Sequence, residues 1–91
     1  MALHICYMTS IVAYVKPADP YSMRLLEFLR RKNVSFTKKV VTEEDAEVYQ
    51  EFVTVTGEIE PPILVINGNV IGDYERVTSL DLQGKLDDYF R

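Results

Sequence analysis

Cysteine is scarce in this chain: Cys6 is alone among 91 residues, which excludes an intramolecular disulfide. Nothing covalent staples the fold, and this usage fits a reducing compartment, so a cytoplasmic location is expected. Positive charge is also in deficit, with 10 Lys and Arg against 14 Asp and Glu and a formal net charge of −4. That balance speaks against nucleic-acid binding. The short run Arg30-Arg31-Lys32 reads instead as the cationic end of a helix, complementing its dipole. No stretch approaches the roughly 20 apolar residues that cross a bilayer, so no membrane partner is expected. Leu3, Ile5, Tyr7 and Met8 make the start apolar, yet a basic leader and a small-residue cleavage site are missing. Repeats, low-complexity tracts and linkers are absent as well. What is present is one domain's worth of chain, with an apolar content of 47%.

The elements follow from local pattern. Ile11 to Val15 is a continuous, β-branched apolar run and reads as a buried central strand. Asp19 supplies a helix N-cap with Pro20 at the first helical position, and Leu25, Leu26, Phe28 and Leu29 recur at helical spacing to about Lys32. Asn33 suits a left-handed helix end. Val34, Phe36 and Val40 alternate with polar residues, predicting a strand over Val34 to Val41. Thr42 with Asp45 resembles a capping box for a helix through Val48, Phe52 and Val55 that Gly57 stops. Ile63 to Ile66 is a third strand, and Asn67-Gly68 is a two-residue hairpin signal that pairs it antiparallel with Val70-Ile71. A last helix is expected from near Glu75 to Ser79 through Leu86, Tyr89 and Phe90, with Gly84 marking a break or close packing. The order is βαβαββα. A helical crossover makes the first two strands parallel, so an α/β, thioredoxin-like layout follows: a four-stranded mixed sheet flanked by helices on both faces. Residues 1–10 form an N-terminal extension and 11–91 the domain.

Four segments, in order, then point to one family. Lys16-Pro17-Ala18-Asp19-Pro20-Tyr21-Ser22 resembles the Lys-Pro-x-Cys-Pro-Tyr-Cys loop of glutaredoxins, with Asp19 and Ser22 at the two cysteine positions. Pro62-Ile63-Leu64-Val65-Ile66-Asn67-Gly68, Val70-Ile71-Gly72-Asp73-Tyr74-Glu75 and Leu80-Asp81-Leu82-Gln83-Gly84-Lys85-Leu86 resemble later segments of the same family. The resemblance implies the glutaredoxin fold over nearly the whole chain. It also implies a cis-proline at Pro62 and glutathione contacts at Lys16, Tyr21, Tyr74 and Glu75. Lys16 would meet a glutathione carboxylate and Glu75 its amino group.

The departures bear on activity. Disulfide exchange requires a thiolate, which neither the Asp19 carboxylate nor the Ser22 hydroxyl can supply. Asp19 reads either as a plain N-cap or as a fixed anion that repels glutathione or recruits a basic partner. A cluster-ligating cysteine would also fall at Asp19, so iron–sulfur ligation is not expected, and no metal site is. Pro61 stands where the family's residue before the cis-proline exchanges backbone hydrogen bonds with the bound cysteinyl peptide, and proline has no N–H. By the same resemblance Glu60 stands where the family has small polar residues and Asp73 where it has a glycine, and both add negative charge. The expected function is a non-catalytic binding or regulatory module with a protein or peptide partner in the former active-site groove, at Lys16, Tyr21, Pro61, Pro62, Tyr74 and Glu75. No cofactor is expected, and glutathione is the one candidate. The alternative is a glutathione-dependent thiol–disulfide oxidoreductase, or a glutathione-binding protein, using Cys6 or a partner's cysteine. His4 is too close in sequence to Cys6 to make a metal pair or a catalytic dyad with it.

Overall fold

The computed structural model describes residues 9–57 and 59–90. Cys6, His4 and the apolar start Leu3 to Tyr7 therefore lie outside the described residues.

The strands are β1 (Ile11–Val15), β2 (Thr37–Val40), β3 (Ile63–Ile66) and β4 (Asn69–Gly72). The helices are α1 (Pro20–Arg31), α2 (Ala46–Thr56) and α3 (Tyr74–Leu82), and a 3₁₀ turn follows at Asp87–Phe90. The order is βαβαββα, as expected. One sheet has the strand order β2-β1-β3-β4, with β1 and β2 parallel and the other two pairs antiparallel. β1 and β3 read as unbroken apolar runs because both faces of the sheet are covered. Ile11, Ala13, Val15, Leu64 and Ile66 pack with Leu25, Phe28 and Leu29 of α1 and Val77 of α3. Tyr14, Ile63 and Val65 face the other way, against Phe52 of α2.

Four boundaries differ from expectation. β2 begins at Thr37, because only Thr37 to Val40 pair with β1; Val34 and Phe36 are half-buried against the α1-side core instead. Asp45, not Thr42, caps α2, accepting from Val48 N at 3.3 Å. α3 starts at Tyr74, one residue before the expected range, because Asp73 caps it by accepting from Arg76 N at 2.9 Å. The same helix ends at Leu82, where the chain turns through Gly84 at φ 73°. A Cβ on Gly84 would meet nothing within 4 Å, so the glycine serves the turn and not close packing. Leu86 is nevertheless fully buried and Phe90 packs on the core, so the tail returns its apolar residues without being helical. Lys32 ties this region together, pairing with Asp81 at 2.8 Å and Asp87 at 3.1 Å.

Candidate functional site

At the end of β1 the chain passes Lys16 and Pro17, then turns at Ala18 with a φ of 53°. That left-handed residue, uncommon for alanine, brings Asp19 into position to cap α1. Asp19 Oδ2 accepts from Ser22 N at 2.8 Å. Ser22 is 2% exposed, and its hydroxyl accepts the Lys16 N–H at 3.1 Å. The two side chains at the expected cysteine positions are thus both hydrogen-bonded to the backbone of their own loop.

Facing this loop is the Pro61–Pro62 peptide bond, which is cis. The start of α3 supplies the third wall. Together they enclose a cleft of about 310 Å³ lined by Lys16, Asp19, Tyr21, Glu60, Pro61, Pro62, Asp73, Tyr74 and Glu75. All six residues expected at the groove converge here, drawn from β1's end, α1, the β3 approach and α3. The Tyr21 and Tyr74 rings lie 6.3 Å apart, tilted by 49°, and the Arg24 guanidinium sits 5.1 Å from the Tyr21 ring centroid. That spacing makes one aromatic wall with a cation on its outer side.

The electrostatics are one-sided. Four carboxylates and a single ammonium line the cleft. Lys16 Nζ pairs with Glu60 Oε1 at 3.1 Å, across 44 positions of sequence. The hydrogen bond and charge of Glu60 hold the ammonium above the usual lysine range, and Asp19 adds to the effect. Asp19 and Asp73 each commit an oxygen to a helix cap. Glu75 is exposed and pairs with no described residue.

A second, larger cleft of about 490 Å³ opens on the α2 side, between Val41, Tyr49, Phe52, Val53 and Ile59. Lys16, Glu60 and Pro61 line both hollows and form the ridge between them. The larger one contains none of Asp19, Tyr21, Tyr74 or Glu75, so the candidate site is the smaller. Behind the ridge, the buried Tyr14 hydroxyl donates to Glu51, which also accepts from Lys39 Nζ at 2.7 Å. Burial, then Glu51, pushes the Tyr14 phenol up; Lys39, then Tyr14, holds the Glu51 carboxyl down. This cluster pins β1, β2 and α2 and takes no part in the cleft.

The Ser22–Lys16 hydrogen bond, the Lys16–Glu60 pair and the Asp73 cap were not foreseen from sequence. Only the last had a local signal, an aspartate directly before a helix. Among the described residues there is no thiol, and no group of three His, Cys, Asp or Glu is placed to hold a metal ion. The site can therefore hold a ligand by charge, aromatic contact and backbone, but its described side chains cannot exchange a disulfide.

Residues 11–71 match the family described as Glutaredoxin. No curated protein sequence is significantly similar. Among solved structures, a dithiolic glutaredoxin of Trypanosoma brucei brucei is 27% identical, with a TM-score of 0.75 over 91% of this chain and 88% of that one. A buckwheat glutaredoxin–glutathione complex superposes with a TM-score of 0.76 at 21% identity, covering 90% of this chain and 76% of that one. Actin interacting protein 5, in a mutant form, superposes with a TM-score of 0.69 at 21% identity, covering 90% and 87%. Among the described residues no helix is long and apolar enough to cross a membrane.

Proposed function

This chain belongs to the glutaredoxin family, and we propose that within it the protein is a non-catalytic binding or regulatory module. Its partner is a protein or peptide held in the cleft between Asp19, Pro62 and Glu75. The observation that carries this reading is the loop itself. Asp19 and Ser22 stand where the resemblance places sulfur, and both are hydrogen-bonded to the backbone. The helix end that would favour a thiolate now holds a carboxylate.

The same cleft fits glutathione poorly. The ammonium that would meet a glutathione carboxylate is already paired with Glu60, so an anionic ligand must share it with a like charge. Pro61 has no N–H to give an incoming backbone. Asp19, Asp73 and Glu75 add repulsion toward a tripeptide that is itself anionic. A cationic or neutral peptide escapes the charge penalties, and the Tyr21–Tyr74 wall offers it apolar contact. A molecule of this fold carries the name Actin interacting protein 5, which associates the fold with protein contacts. A cytoplasmic setting fits a chain with a single cysteine.

Partner capture from a lysate with wild-type protein and with an Asp19→Lys/Glu75→Lys variant tests the reading. Partners retained by the wild type and lost by the variant are expected. Identical partner sets would overturn it. Because Asp19 caps α1, Glu75→Lys alone serves as the folding control, since that side chain is exposed and unpaired and gives up only its favourable place in the first turn of α3.

A further inference from the structure

A second surface lies away from the cleft, between the flank of α1 and the free edge strand β2. The register pairs Lys38 with Ala13, whose side chain packs under α1, so Lys38 projects on the α1 side of the sheet. Lys39 projects on the other side, toward Glu51. Met23, Leu26 and Arg30 recur at helical spacing along the flank of α1 that borders Lys38. With Arg24 and Glu27 these residues line a hollow of about 530 Å³. Met23 is 63% exposed and Leu26 half-buried, so the floor is apolar.

The charge there is opposite to that of the chain. The hollow holds three cations and one carboxylate, Glu27, which faces Arg31 at 3.6 Å. Lys16, Lys32 and Lys39 all have carboxylate partners, whereas Arg24, Arg30 and Lys38 have none among the described residues. Arg24 instead lies over the Tyr21 ring. Three cations without a carboxylate partner around an exposed methionine, in a protein of net charge −4, are a local excess that folding has not neutralised. Lysine on an edge strand also discourages pairing with neutral strands. An acidic strand or peptide meets no such obstacle.

We propose that the hollow between α1 and β2 is a docking surface for an acidic segment of another protein. Its carboxylates pair with Arg24, Arg30 and Lys38, and an apolar side chain between them rests on Met23 and Leu26. Complementary charge sets the orientation and the rate of encounter, and the apolar floor sets how long the segment stays. Nucleic acid is the weaker fit, because the hollow offers only three cations and no free aromatic face for a base to stack on. Arg24 rests on Tyr21 at the border of the cleft beside Pro62, whereas Met23, Arg30 and Lys38 line this hollow and not the cleft, so substitutions there let the two proposals fail separately.

The test is fluorescence anisotropy with a labelled peptide of alternating Glu and Leu, its Gln-for-Glu counterpart and an oligothymidylate. The proteins compared are wild type, Arg30→Glu/Lys38→Glu, Met23→Ser and Glu75→Lys, each first checked for an unchanged melting temperature. All four sites are exposed or unpaired, so folding should survive the substitutions. The acidic peptide is expected to bind the wild type, to weaken about tenfold or more on charge reversal, and to weaken in high salt. Met23→Ser should weaken it with little change in salt dependence, and Glu75→Lys should leave it within about twofold. The proposal is overturned if the acidic peptide fails to bind, if charge reversal leaves it unaffected, or if the Gln peptide or oligothymidylate binds the wild type more tightly.

Discussion

Replacing Pro61 and Glu60 separates the two obstacles that the cleft raises against glutathione. Pro61→Val supplies a backbone N–H where the resemblance places the incoming cysteinyl peptide. An acceptor left unpaired on burial costs about 1–3 kcal/mol, which is about a ten- to hundredfold loss in affinity. Glu60→Gln removes the carboxylate that pairs with Lys16. That pair is exposed, with side chains 40% and 84% accessible, so its effect is smaller and should fade with salt. Isothermal titration calorimetry with reduced glutathione should show no heat for the wild type at millimolar ligand. Pro61→Val/Glu60→Gln should bind measurably, the Pro61 change contributing most of the gain. Thermal melting of each variant guards against a change in fold. Micromolar binding to the wild type would refute the reasoning, as would a double variant that binds no better.

Other outcomes follow from individual contacts. Ser22→Ala leaves the Lys16 N–H without its acceptor and should cost about 1–3 kcal/mol in urea denaturation, more than a surface serine would. Gly72→Ala should destabilise by about 1–3 kcal/mol, because φ is 139° there and a Cβ would meet Arg76 Cγ at 2.6 Å. Lys39 and Tyr14 hold the Glu51 carboxyl below its ordinary 4.5. Its contribution is therefore complete above that pH and is lost as acid is added, and Glu51→Gln should flatten the acid limb of the stability profile. The Tyr14 phenol is shifted the other way, so its contribution is intact below its ordinary 10.0 and fades at higher pH, a decline Tyr14→Phe should lack. Asp19→Asn keeps an N-cap oxygen and should alter stability by only tenths of a kcal/mol, so a change in partner affinity reports the charge alone.

The features legible in the sequence are those that neighbouring residues decide. Asp19-Pro20 marks a helix start because capping and proline's fixed φ act within one turn. Asn67-Gly68 marks a hairpin because both residues accept positive φ, here 53° and 81°. The tail misled because Leu86, Tyr89 and Phe90 continue a helical period that Gly84 interrupts, while Leu86 is buried all the same. Burial alone does not identify the element that delivers it. In the site, Lys16, Tyr21, Pro62, Tyr74 and Glu75 could be assembled because the first three of the four family segments carry them. The Lys16–Glu60 pair could not be, since nothing local couples positions 44 apart. The grip of Ser22 on Lys16 N was hidden for the same reason: it depends on how the loop turns at Ala18.

The most direct test of a thiol-handling architecture without its chemistry is glutathione-coupled reduction of hydroxyethyl disulfide, run with wild-type protein and with Cys6→Ser. Rates for both are expected to match the protein-free background. A wild-type rate well above background that disappears in Cys6→Ser would contradict this, because the lone thiol would then supply the chemistry that Asp19 and Ser22 cannot.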